Sequence, residues 1–129
     1  MSRRKGSTLE RDVVNMAREY GLTAERTAPM QGVGRSGGAD VLIEGTIKVE
    51  CKSHARISGW TQILTAIMLG ATCPLTKEQV AWLDDMDWLV LKQTGWPEPV
   101  VILPHETGYY LPYILRNWLI VQRDRKLHG

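Results

Sequence analysis

Asp40-Val41-Leu42-Ile43-Glu44-Gly45-Thr46-Ile47-Lys48-Val49-Glu50-Cys51-Lys52 decides how the rest of the chain is read. In its second half, Lys48, Glu50 and Lys52 alternate with Ile47, Val49 and Cys51, so a strand there puts the polar set on one face. In its first half, Val41 and Ile43 alternate with Asp40 and Leu42. The link between them is too short for a crossover, which leaves an antiparallel pair. A two-residue link sets Asp40 against Val49 and scrambles polar with apolar. The three-residue link Glu44-Gly45-Thr46 sets Asp40 against Glu50 and Leu42 against Lys48, and gathers Val41, Ile43, Ile47 and Val49 on one apolar face. Strands over 39–43 and 47–52 are therefore expected in that register, with Gly45 left-handed. A bulge would restore the same parity.

The register brings two carboxylates and an ammonium into one patch. Adjacent carboxylates resist ionising together unless a cation neutralises them. A divalent metal between Asp40 and Glu50 resolves the conflict, and the main-chain carbonyl of Cys51 can complete its oxygen shell. Such a metal polarises a phosphodiester and makes hydroxide from water. Lys52 can orient or deprotonate that water, or offset charge on the pentavalent phosphate. The plainer reading makes Asp40, Glu50 and Lys52 solvated strand residues paired on an exposed face. Cys51 and Cys73 have no metal-ligand spacing, nor do His54, His105 and His128. Oxygen ligands point to a hard cation, Mg2+, for which Mn2+ is expected to substitute. Cys51 lies in an apolar strand pattern and reads as a buried free thiol.

Outward from the hairpin, residues 32–38 (Gly-Val-Gly-Arg-Ser-Gly-Gly) form a loop that allows close backbone approach but matches no nucleotide-binding fingerprint. Before it, Ser7 and Glu10 make a capping-box pattern, and Leu9, Val13, Met16, Ala17 and Tyr20 follow at helical spacing up to Gly21. A short strand is expected over 23–27. After the hairpin, Trp60, Ile63, Leu64, Ile67 and Ala71 mark a helix with Ser58 as cap, and Thr76 with Gln79 opens another. Strands are expected at 88–92 and 100–103, separated by the turn-rich 94–99, and a closing helix over 112–126. Strands mixed with helices in this order indicate an α/β protein, with a central sheet of about five strands flanked by helices.

At 129 residues, 43% of them hydrophobic and 23% charged, the chain suits one globular domain spanning 1–129. No apolar run is long enough to span a bilayer, and Arg3, Arg4 and Lys5 have no apolar stretch behind them. A cytoplasmic location is expected, in the host if the chain is phage-encoded, with no membrane and no small-molecule cofactor. The net charge of +2 is uneven: residues 1–56 hold ten Lys and Arg against seven Asp and Glu, and the remainder six against seven. The basic excess shares the half that carries the acids, which suits a polyanionic ligand. Residues 1–5 are expected to be a disordered basic tail, with Lys5 among the charges able to clamp a phosphate backbone. Trp60, Trp82, Trp88 and Trp118 sit in apolar patterns and, with no phenylalanine in the chain, supply the core's aromatic bulk. Trp96, in the Pro-rich turn, is the one expected at the surface.

Three motifs carry a resemblance: Lys5-Gly6-Ser7-Thr8-Leu9-Glu10-Arg11, Ser36-Gly37-Gly38-Ala39-Asp40 and Val49-Glu50-Cys51-Lys52. In this order they resemble the PD-(D/E)XK nuclease superfamily, and within it the archaeal-type Holliday junction resolvases that also occur in phages. The likeness covers roughly residues 5–60. The family's usual proline before the aspartate is Ala39 here, and beyond about residue 70 there is compatibility rather than motif agreement. The resemblance implies a restriction-endonuclease-like fold and a homodimeric, metal-dependent endonuclease that nicks two opposing strands of four-way junction DNA.

The resemblance also extends the site. Its first-helix glutamate, a contributor to the metal, is Glu10 by position. The residues alone leave Glu10 open, since it borders the apolar stripe and is also the third residue of the capping box. Ser36 matches the family's active-site serine, although it also reads as a turn residue. Arg11, Arg26 and Arg35 are candidate phosphate contacts, Arg11 favoured by the resemblance, and each is also an ordinary surface charge. His54 and Arg56 flank the exit from the acid-bearing strand and are expected near DNA. Gln62 opens the next helix and either holds water or phosphate or simply faces solvent. Phosphate contacts and junction shape, more than base edges, would set binding. Two-fold junctions need paired cuts, which suits a dimer, and Tyr113, Trp118 and Leu119 are its candidate surface. The alternatives are a related endonuclease for linear duplex, flap or mismatched DNA, and a non-catalytic DNA-binding module on the same fold.

Overall fold

The hairpin closes in the expected register: Val41 pairs with Val49, Leu42 with Lys48 and Ile43 with Ile47, around the turn Glu44-Gly45-Thr46. The computed structural model describes residues 2–27, 38–105 and 107–129, with side chains from Thr8 onward. In chain order these form α1 (Ser2–Glu19), β1 (Ala24–Arg26), β2 (Val41–Ile43), β3 (Ile47–His54), α2 (Trp60–Leu69), α3 (Lys77–Leu83), β4 (Trp88–Gln93), β5 (Val100–Pro104), β6 (Tyr110–Ile114) and α4 (Leu115–His128). The strands lie side by side in sequence order in one sheet. β3 and β4 are parallel, and the other neighbours are antiparallel. The single parallel step needs a crossover, which α2 and α3 supply.

Alternation along the strands separates two cores. Val41, Ile43, Val49, Cys51, Val90 and Val101 face α1 and α4, where Leu9, Val13, Ala17, Leu115 and Leu119 meet them. Leu89, Leu91, Val100 and Ile102 face Ile63 and Ala66 of α2 and Leu83 of α3. Neighbours on β4 and β5 thus go to opposite sides, the period-2 signature of strands covered on both faces. Burying each Leu or Ile contributes about 2 kcal/mol, so both layers stabilise the sheet that carries the acids. Cys51 and Cys73 are buried free thiols in different cores.

Several expectations are corrected. The sheet has six strands rather than five, because Tyr110–Ile114 pairs with β5 and the closing helix begins only at Leu115. Pro112 reads as a helix start, yet it is tolerated in β6 because this strand is at the sheet edge. α1 begins at Ser2, so the backbone of Arg3, Arg4 and Lys5 is helical where a disordered tail was expected, and Ser7 lies inside the helix instead of capping it. α2 is capped by Gly59 at φ 77°, not by the Ser58 side chain. Ser58 contributes its carbonyl, which accepts from Gln79 Nε2 at 2.7 Å. Gln79 also completes the expected capping box with Thr76. Trp96 is buried, stacked on Trp60 with ring centroids 3.5 Å apart, not exposed. Leu119 is a core residue, and Trp118 stacks on Tyr113 at 4.6 Å, so this trio is largely engaged within the chain rather than free as a dimer surface.

The hairpin turn is tighter than its glycine alone explains. Glu44 (φ 55°) and Gly45 (φ 70°) are both left-handed. A non-glycine residue there needs compensation, and Glu44 has it: its Oε2 accepts from Thr23 N at 2.7 Å and Thr23 Oγ1 at 2.6 Å, and Lys126 Nζ lies 3.0 Å from Oε1. These bonds hold the Glu44 carboxyl down at about 2.

Candidate active site

β3 has eight residues and β2 three, so β3 runs on past the end of its partner. Asp40 stands where the shorter strand stops. Its N–H donates to the Val49 carbonyl at 2.9 Å, and its Oδ2 accepts the Cys51 N–H at 2.9 Å. A side-chain oxygen thus takes the position of the next strand carbonyl. Within a strand the N–H and C=O of one residue point to the same side, so the Cys51 carbonyl is directed toward Asp40 as well.

Glu50 and Lys52 alternate with Val49 and Cys51, so they rise from the face opposite α1. The Glu50 carboxyl lies within hydrogen-bonding reach of that of Asp40, and Lys52 is close enough for its charge to favour ionisation of Glu50. Glu10 arrives from α1 on the other face and ion-pairs with Arg26 of β1, Nε to Oε1, at 3.3 Å. The three acids therefore come from a helix, a strand end and a neighbouring strand, near enough for their charges to interact.

Their electrostatics are frustrated. Glu50 is pushed up to about 8, by burial first and then by the hydrogen bond to Asp40 and the Asp40 charge; Glu10 adds to the push and Lys52 opposes it. Burial and the Asp40 charge also raise Glu10, against the pull of Arg26. Burial, with the charges of all three acids behind it, raises the Cys51 thiol well above its ordinary range, which leaves it inert and neutral. Glu50 thus resists losing its proton beside Asp40, the usual outcome when two carboxylates share a site without a cation.

The donor set fits a hard divalent cation. Carboxylate oxygens at Asp40, Glu50 and Glu10, with a main-chain carbonyl directed to the same place, are the ligands such an ion takes. An ion there would displace the proton from Glu50 and offset the repulsion among the acids. Among the described residues, no three His, Cys, Asp or Glu side chains already close into a cage; Glu50 is turned to Asp40 and Glu10 to Arg26.

The other expected residues are distributed as follows. Arg11 is exposed beside Glu10 on α1, and Arg56 is exposed just beyond β3. His54 stacks on Trp82 at 4.9 Å, with its Nε2 buried and without a hydrogen-bond partner among the described residues, so its ring is directed inward more than outward. Gln62 is exposed in the first turn of α2. Ser36 and Arg35 lie outside the described residues, as does the side chain of Lys5. Two contacts were not foreseen from the sequence: the Arg26–Glu10 pair, and a set of bonds from Thr27 to the chain at Ala39 and Asp40. Arg26 and Thr27 are consecutive, and each holds the support of a different acid.

The chain is similar to a Holliday junction resolvase. The solved structure is that of Hjc from Archaeoglobus fulgidus, an archaeal hyperthermophile; it matches with a TM-score of 0.42 at 14% identity, over 90% of this chain and 98% of that one. No family model and no curated protein sequence matches the chain. Among the described residues, no helix is long and apolar enough to cross a membrane.

Proposed function

We propose that this protein is a metal-dependent endodeoxyribonuclease that resolves four-way DNA junctions. The observation that carries the reading is the meeting of Asp40 and Glu50 carboxyls at the open end of β2, with Lys52 on the face of Glu50 and Glu10 alongside. An acidic cluster that cannot fully ionise by itself, beside a lysine, is suited to holding a divalent ion against a phosphate. The order of the three sequence motifs supports the junction as substrate.

Asp40, Glu50, Glu10 and the Cys51 main-chain carbonyl would hold the ion, Mg2+ with Mn2+ as substitute. When bound, it supplies Lewis-acid polarisation of the phosphodiester and a more acidic water. The chain's own groups do the rest. The Cys51 N–H keeps the Asp40 carboxylate oriented. The Lys52 ammonium offsets the negative charge that builds on the phosphorus oxygens. Arg26, paired with Glu10 here, would be a candidate phosphate contact if a cation took over the charge of the acids. Arg11, Arg35, Arg56, Lys5, Ser36 and Gln62 are the proposed DNA contacts around this centre. Paired cuts across a two-fold junction call for a homodimer, one site per strand.

The test compares an immobile four-way junction with a linear duplex and a flap, each with Mg2+ or EDTA. Symmetric paired nicks confined to the junction, abolished by EDTA, are expected. Equal cutting of all three substrates would leave a nuclease of different specificity, and tight binding without cleavage a DNA-binding module. Sedimentation at micromolar concentration checks the dimer.

A further inference from the structure

We propose that Thr27 is a positioning residue for Asp40, fixing the main chain from which that carboxylate is presented. The proposal rests on the reading of Asp40 as a cation ligand and adds to it a residue that no motif marks.

Thr27 directly follows β1, beyond the last paired residues Arg26 and Val41. Thr27 faces Asp40 where that register continues. It holds Asp40 by main chain and side chain together. Its N–H donates to the Asp40 carbonyl at 3.1 Å. Its Oγ1 lies 2.5 Å from the Ala39 carbonyl and 3.3 Å from that of Asp40. A hydroxyl has one proton to give, so the shorter bond to Ala39 is the principal one. Ala39 is only 2% exposed, so no bulk water stands ready to replace this donor.

From the opposite side β3 binds Asp40 through the Val49 carbonyl and the Cys51 N–H. Asp40 is thus clamped between Thr27 and β3, backbone on one side and backbone plus carboxylate on the other. The clamp matters because the Asp40 charge and the ionised forms of Glu10 and Glu50 oppose one another. A carboxylate on a loose chain end would turn outward and relieve the repulsion. Held at both sides, it stays where a cation needs it, and preorganisation of this kind is what a metal site takes from its surroundings.

Thr27→Val removes the hydroxyl and keeps the shape, the strand preference and the backbone N–H. Thr27→Ser keeps the hydroxyl and removes the methyl. Thr27→Ala guards against an effect peculiar to valine. Mn2+ binding without DNA, followed by water-proton relaxation, is measured beside kcat and KM on the junction. Val and Ala are expected to weaken Mn2+ binding and lower kcat by about tenfold, with KM for DNA unchanged and Ser recovering both. Wild-type Mn2+ affinity in Thr27→Val overturns the proposal, and so does a Thr27→Ser as weak as Thr27→Val, since the hydroxyl would not then be the agent. A Mn2+ shift rescued by Ser in a protein that cuts no DNA upholds the positioning role and removes the nuclease reading. Absence of Mn2+ binding by the wild type overturns both.

Discussion

The Asp40 carboxylate accepts the Cys51 backbone N–H at 2.9 Å, so the residue proposed to hold the cation is also part of the sheet's hydrogen bonding. Asp40→Asn separates the two roles, because an amide oxygen still accepts that bond while the charge is gone. We expect cleavage to fall by on the order of a hundredfold to a thousandfold, with the melting temperature little changed. Junction binding, followed by gel shift in Ca2+ or EDTA, should persist. A variant that still cuts at wild-type rate would remove Asp40 from the chemistry.

Glu50 gives the ion-free protein an unusual pH dependence. Its carboxyl is raised from 4.5 to about 8, so between those values the folded state binds more protons than the unfolded one. Stability from this group is then complete below about 4.5 and is lost as pH rises through about 8. In EDTA the melting temperature should decline across that window, and Glu50→Gln should flatten the decline. A divalent ion should restore stability on the alkaline side, binding more tightly as pH rises because it displaces the proton. Parallel profiles for wild type and variant would contradict this account.

Glu10→Gln decides between the two sequence readings of Glu10. A capping glutamate tolerates Gln with nearly full activity, but α1 starts at Ser2 and Glu10 is engaged with Arg26 instead. Cleavage should therefore fall at least tenfold, while stability changes by less than about 1 kcal/mol, as befits a part-exposed ion pair. Full activity in this variant would return Glu10 to a structural role.

Glu44 is tested at the acid end. Its carboxyl is lowered from 4.5 to about 2, chiefly by bonds from Thr23, so its contribution is present above 4.5 and lost as pH falls through about 2. Glu44→Gln should cost about 1 kcal/mol in urea unfolding at pH 7, and the difference should shrink toward pH 2. A difference that does not change with pH would mean the charge is irrelevant to the turn.

Much of the site's frame was legible because it depends on parity. Alternation at Val41, Ile43, Ile47 and Val49 admits one sensible register, and that register brings Asp40 to Glu50. What stayed hidden depends on tertiary neighbours. Tyr110–Ile114 contains a proline and runs without a break into an apolar helix, so only its pairing with β5 reveals a strand. Trp96 sits among turn residues, and only its stack on Trp60 buries it. The Ser7–Glu10 pattern is a valid capping box, overridden by a helix that already starts at Ser2. Thr27 had no signal at all: a threonine ending a short strand is ordinary until its hydroxyl is seen to face Ala39.

β1 is an edge strand of three residues, and the acids on either side of it are held through Arg26 and Thr27. Short edge segments open locally at a small fraction of the free energy of global unfolding. Mild denaturant should therefore abolish the proposed nuclease activity while the tryptophans, all between Trp60 and Trp118, still report a native interior. Inactivation is then expected ahead of melting, with amide hydrogen exchange at 24–27 as its early gauge.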